Sequence, residues 1–288
     1  MSWKKDIVSS ISRPIYHPIT GYAGFDPDAS AYFTAVETAG GSFDLTGIDP
    51  TYTESYVKTA HSNFYAGLKT DGVWDKLTEF YLLAGKTFGG LTVKGKGTGS
   101  LTNNNFVTGD WLGAGSGAGL TGDGSTKYLD TGLLDSSLSA NNRSFSAYST
   151  NAGVTAGIVD TSGGYILRWN ASVQDVYFPQ TIGDFNASAY YNIGNPSSLH
   201  IFSHRGLNDS EFYENGTSVA SDSASVSDIT PPTLTWYLLA KNNNGGAQFG
   251  DSATLTFAHV GTGLTDTEAS NLSTRVNTLM TALGCNTY

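Results

Sequence analysis

After Gly85 the chain breaks into short runs of alternating character, each about a strand long and bounded by turn residues. SFSAYST, AGIVD, GYILRWN, DVYFP, LHIFSHR, EFYENGTSV, TWYLLAK and ATLTFAHV are rich in aromatic and β-branched side chains. A period of two with such boundaries specifies strands that are half buried or fully buried, and many of them in succession specify a sandwich or barrel. Within EFYENGTSV, Asn215-Gly216 separates two runs, and both residues tolerate the positive φ that a tight hairpin requires. Only 14% of the 288 residues are charged and 35 are glycine, a composition that favours sheets and loops over helical bundles. No tandem repeat suggests a solenoid or propeller.

Helical periods flank this region. FDPDASAYFTAVETAGG offers Asp26 as a cap, Pro27 at the first helical position, Ala29, Tyr32, Phe33 and Val36 on one face and Gly40 as a stop. Asp49-Pro50 predicts a second start, with Tyr52, Tyr56, Ala60, Phe64 and Leu68 as the apolar row, and DGVWDKLTEFYLLAG predicts a third helix carrying Val73, Trp74, Leu77, Phe80 and Tyr81. At the end, Thr265 and Glu268 form a capping box, Leu264 can staple the first turn, and Leu272, Val276, Leu279 and Leu283 form one stripe before Gly284. A one-sided helix at the end of a β-rich chain is expected to cover that chain's own sheet. The expected divisions are an extended arm at 1–24, a helical lead-in at 25–90, a sandwich at 91–262 and a terminal helix at 263–288.

The arm holds Pro14 and Pro18, which forbid a regular helix, together with Ile7, Ile11, Ile15, Tyr16, Ile19 and Tyr22. These are too apolar for a solvated tail, so they are expected to lie on this subunit or a neighbour. With Cys285 as the single cysteine, packing must hold the fold without an intrachain disulfide. The N-terminal sequence lacks a secretory apolar run and no stretch approaches a membrane span, so synthesis as a soluble cytosolic product is expected, with no membrane partner. A formal charge of −10 disfavours a phosphate-tracking surface, which excludes nucleic acid as the expected partner.

Motifs for chemistry are weak. Gly117 to Gly122 has dinucleotide-loop spacing, but a strand-like KYLDTGL follows where a helix is needed. Gly85-Lys86-Thr87 ends like a phosphate loop, yet Phe80 stands where the first glycine should be. His200 and His204 share a strand face but have no third ligand nearby, and half-exposed strand histidines are expected instead. Asp160, Asp175, Glu211 and Glu214 are the carboxylates from which a glycosidase pair would be drawn, at a separation that only the fold sets. Among Trp169, Tyr177, Tyr213, Trp236 and Tyr237, most are expected in the core, and an exposed remainder would suit stacking on a sugar ring. The Lys241 to Gly246 amide run reads as a hairpin turn. No catalytic residue, cofactor site or metal site is assigned.

From about Thr121 to Val260, GDGSTKYLDTG, EFYENGTSV and YLLAKNNNGGAQFGDSATLTFAHVG together resemble the concanavalin A-like, laminin-G-like sandwich of bacteriophage virion proteins. GLTDTEASNLSTRVNTLMTALG resembles the tail of that phage version, and DPDASAYFTAVETAGG with FYAGLKTDGVWDKLTEFYLLAG resembles its helical lead-in. The resemblance implies a mainly β fold: a concanavalin A-like jelly-roll sandwich preceded by a small helical region and followed by a C-terminal helix. It further implies a non-enzymatic virion component of a tail, fibre or capsid decoration, assembled in the host cytoplasm as a homo-oligomer with other virion proteins as partners. Related sandwiches often bind sugar through calcium held by loop carboxylates and amides, and no such cluster is transferred to this chain. A receptor-binding adhesin recognising a host-surface glycan is the second expectation, and a glycan hydrolase on the same sandwich the third.

Overall fold

The computed structural model describes residues 24–150, 155–160, 163–170, 173–177, 197–222, 231–248 and 250–287. The arm residues Ile7, Ile11, Ile15, Tyr16, Ile19 and Tyr22 lie outside the described residues, as do the side chains of Trp169 and Tyr177. The chain opens with α1 (Pro27–Thr38) and α2 (Glu54–Thr70). Then come β1 (Leu77–Leu82), β2 (Thr102–Asn104), β3 (Trp111–Leu112), β4 (Gly119–Thr121), β5 (Tyr128–Leu134) and β6 (Arg143–Ser149). The middle strands are β7 (Thr155–Asp160), β8 (Gly163–Asn170), β9 (Val173–Tyr177), β10 (Leu199–Gly206), β11 (Asp209–Glu214) and β12 (Thr217–Asp222). β13 (Thr235–Leu238), β14 (Ala240–Asn243), β15 (Gly246–Gln248), β16 (Thr254–Gly261) and α3 (Asp266–Ala282) complete the order.

The fold is mainly β, with two sheets packed face to face. Sheet A runs β12-β11-β10-β6-β16-β4-β3, with β1 lying beside β4 along the same edge of β16; sheet B runs β15-β14-β7-β13-β5-β2, with β8 and β9 extending from β7. All pairings are antiparallel except β14 with β7. Phe145, Phe202 and Phe212 of sheet A meet Leu129, Trp236 and Leu238 of sheet B in one buried cluster, where Phe145 and Trp236 have ring centroids 5.3 Å apart. The Asn215-Gly216 hairpin forms as expected, with φ of 51° and 78°.

The other face of sheet A is covered by the helices. Leu199, Ile201, Tyr148 and Phe257 share a second core with Leu264, Leu272, Val276, Leu279 and Leu283 of the terminal segment, and with Val57, Phe64 and Leu68 of α2. The C-terminal helix therefore covers its own chain's sheet. Its capping box is present: the Glu268 amide donates to Thr265 Oγ1 at 3.3 Å, and the Thr265 amide donates to Glu268 Oε2 at 2.8 Å. Gly284 follows with φ of 72°, and a Cβ there would lie 2.0 Å from the Tyr52 hydroxyl.

Two helical expectations are corrected. The third helix is a 3₁₀ turn at Trp74–Lys76 followed by strand β1. Phe80 and Leu82 face the helices while Tyr81 and Leu83 face the sandwich core. A strand buried on both sides is apolar at consecutive positions, which a helical template also fits. α2 starts later than Asp49: Thr53 caps it through the Tyr56 amide, while the Asp49 carboxylate accepts from the Thr51 amide in a separate turn. Its buried row is Val57, Ala60, His61, Phe64, Tyr65 and Leu68, and Tyr56 is exposed.

Candidate functional site

Pairing register places a small aromatic and polar group on the outward side of sheet B. Leu129 points into the sandwich core, so its neighbours Tyr128 and Asp130 point out. Asn104 pairs with Tyr128, Thr102 with Asp130, and Tyr237 with Asp130, so all five residues share one face. The Tyr128 and Tyr237 rings stack across the diagonal, with centroids 4.6 Å apart and planes inclined by 28°. Tyr237 is 5% exposed, whereas Tyr128, Asp130 and Asn104 are half-buried and Thr102 is exposed.

Local chemistry fixes this group. The turn entering β5 is closed by Asp123, whose Oδ1 accepts from the amides of Ser125, Thr126 and Lys127 at 2.9, 2.7 and 3.0 Å. Hydrogen bonds from the Thr126 side chain and from these amides hold that carboxyl well below the usual range. Gly122 and Gly124 donate to the carbonyls of Ala253 and Asp251, and a Cβ on Gly122 would sit 1.9 Å from Asp251 O, so only glycine allows this approach. Asn105 Nδ2 donates to Thr126 O at 2.9 Å and ties β2 to the same turn. Asp130 Oδ1 accepts from the Gly132 amide at 2.8 Å. Burial, then the Asp130 charge and Tyr128, push the Tyr237 phenol up to about 12, so it remains neutral. Lys127, the cation beside Tyr128, is held by Asp110 at 2.6 Å.

Elsewhere, ionisable groups join elements. Glu79 and Lys94 form a bidentate pair at 2.7 and 2.8 Å, each side chain 4% exposed, and Tyr81 donates to the same carboxylate. Arg143 donates to Asp135 at 2.7 Å, and Trp236 Nε1 donates to the same oxygen at 3.1 Å. Arg205 links Asp209 and Glu211 to Asp266 at the start of α3, and Arg275 of α3 clasps Asp71 after α2.

Among the singled-out residues, His200 and His204 do share a face, but both are buried rather than half exposed. His200 stacks on Phe212 and contacts Ser198 Oγ at 3.0 Å; His204 Nδ1 contacts Ser210 Oγ at 2.8 Å. Among the described residues no group of three His, Cys, Asp or Glu is gathered for a metal. Glu211 and Glu214 belong to sheet A, Asp160 and Asp175 to sheet B. Trp236 and Tyr213 are core residues, and Tyr237 is the strand aromatic on the outward face. The amide run is consumed by its hairpin: Asn242 Nδ2 donates to Thr235 O and its Oδ1 accepts from the Gly245 amide.

Lys86 is not at a phosphate loop but fully buried, its Nζ donating to Val93 O at 3.0 Å and lying 5.2 Å from the Tyr32 ring centre. Burial pushes this amine down to about 7. Tyr128 is not singled out by sequence, and Lys86 enters there only through the rejected phosphate-loop match. Tyr128 stands at the edge of a glycine-rich stretch, and its alternation with Leu129 is the signal that would have placed it outward. No helix among the described residues is long and apolar enough to cross a membrane.

No protein-family model matches the sequence, and no curated protein matches it. Solved structures give looser likenesses. Domain 4 of AbnA, an extracellular arabinanase from Geobacillus stearothermophilus solved with arabinotriose, is 16% identical with a TM-score of 0.38, covering 69% of this chain and 98% of that one. The receptor-binding domain of botulinum neurotoxin C/D mosaic serotype is 11% identical with a TM-score of 0.45, covering 69% and 51%. Trypanosoma rangeli sialidase is 11% identical with a TM-score of 0.41, covering 69% and 33%. At these scores the architecture is defined by the chain's own two sheets.

Proposed function

We propose that this chain is a non-enzymatic structural component of a bacteriophage particle, in a tail, fibre or capsid decoration, assembling as a homo-oligomer through protein–protein contacts. The observation that carries the reading is how the chain uses its charges. The described buried and clustered ion pairs, Glu79–Lys94, Arg143–Asp135, Arg275–Asp71 and the Arg205 network, link strand to loop, sheet to sheet, helix to helix and sheet to helix. Charges used in this way to join elements support the structural reading. The resemblance of the lead-in, sandwich and terminal helix to virion proteins supplies the setting. Mass spectrometry of gradient-purified particles tests it: the chain is expected in stoichiometric copies. Its presence only in the soluble lysate would contradict the proposal.

A second reading, a receptor-binding adhesin for a host-surface glycan, is favoured by one observation: the half-buried Tyr128 ring backed by Tyr237 beside Asp130. The two readings are compatible, since a particle component displayed in many copies gains avidity from weak individual sites.

A further inference from the structure

We propose that the outward face of β2, β5 and β13 is a binding site for a neutral pyranose, with Tyr128 as the stacking surface and Asp130 and Asn104 as partners for sugar hydroxyls. The proposal rests on the adhesin reading and adds the place and the ligand class. A pyranose presents a face of C–H groups and a rim of hydroxyls. It is matched by an aromatic ring that remains partly open, with hydrogen-bonding groups beside it. Tyr128 is such a ring. Its one side is stacked on Tyr237 at 4.6 Å, and Tyr237 is itself almost covered, so the ring is held in one orientation before any ligand arrives. Asn104 lies directly across the strand pair from Tyr128, and Asp130 is two residues along β5 on the same face. Asp130 Oδ1 is occupied by the Gly132 amide, which orients the carboxylate.

Charge selects among ligands that stack. Lys127 is paired with Asp110, Asp130 places a carboxylate beside the ring, and the whole chain carries a formal −10, so an acidic sugar or a nucleotide meets repulsion. A quaternary ammonium is held best by several ring faces around it, whereas here one ring is open and the second lies covered behind it. A neutral hexose has neither difficulty. One stacking ring and two polar groups imply weak binding per site, with a Kd on the order of 1 mM.

Saturation-transfer NMR of the full chain with the methyl glycosides of glucose, galactose and mannose, beside glucuronate, sialic acid and choline, tests the site. A neutral glycoside is expected to receive saturation on one ring face. Tyr128→Ala is expected to weaken it by about tenfold or more, a loss of about 1.4 kcal/mol or more of binding free energy, and Tyr128→Phe to retain most of it. Asp130→Asn, which keeps the oxygen that accepts from Gly132, is expected to weaken binding while leaving the melting temperature unchanged, so the test survives a poorly folding alanine variant. Neutral-sugar binding unaffected by Tyr128→Ala and Asp130→Asn would overturn this site while leaving the adhesin reading standing. Preference for the acidic sugars or choline would overturn the ligand class. If no glycoside binds and a multivalent glycan array is also blank, both the site and the adhesin reading fall.

Discussion

At the residue scale, the buried histidines tie stability to pH. His61 lies among the rings of Tyr32, Phe33 and Phe43, its Nδ1 bonded to Val57 O at 2.9 Å; burial, with the nearby Lys86 charge, pushes it down to about 4. His259 sits between Ser144 and Ser146 under the helices, and burial pushes it down to about 3. An unfolded histidine titrates near 6.5, so below that pH the unfolded chain binds more protons than the folded one. The stabilisation is complete above about 6.5 and is lost progressively as pH falls towards the folded values. Lys86 acts with the same sign in a higher window, between about 7 and its ordinary value near 10.4, where stability rises with pH. Melting temperature followed from pH 7 down to 5, above most carboxylate titration, is expected to fall. The double variant His61→Gln, His259→Gln is expected to lose part of that slope, the rest being carried by His204, which burial also pushes down. A parent curve that is flat across this range would refute the buried, neutral assignment.

At the element scale, α3 is the clearest case of a helix placed by its sequence and held by packing. Leu272 and Leu279 are 0% and 1% exposed against sheet A and α2, so replacing each by alanine is expected to cost about 2 to 5 kcal/mol. Because the contacts are within one chain, the double variant should melt markedly lower even when dilute and monomeric. Unchanged melting with failed oligomerisation would place the helix at a subunit contact instead. Legibility followed locality. The capping box joins residues three apart, and the hairpin lies within one turn, so each was readable. β1 fits a helical template because its strand partner β16 lies more than a hundred positions away, with Phe80 opposite His259 and Leu82 opposite Phe257. The candidate site was legible only in part: Tyr237 stood out as a strand aromatic, but its partner Tyr128 is set by a register that joins β5 to β13 across the sequence. The burial of Lys86 and His61 has no local signal, since it depends on α1, α2 and the loop after β1 meeting in space.

At the scale of the whole molecule, the lead-in and the sandwich interlock. β1 belongs to the expected lead-in at 25–90, yet it forms part of sheet A beside β16, and α2 packs on the face of that sheet. We expect a body built in this way to hold its shape without the first two dozen residues, which carry the apolar Ile7, Ile11, Ile15, Tyr16, Ile19 and Tyr22. In the proposed role those residues are the docking arm, and the rest is what the arm carries. Deleting residues 1–24 and measuring incorporation of the shortened chain into purified particles, alongside its circular dichroism melt, tests this most directly. The account predicts an unchanged fold and a melt close to that of the full chain, with incorporation abolished. Normal incorporation of a well-folded truncated chain would contradict it.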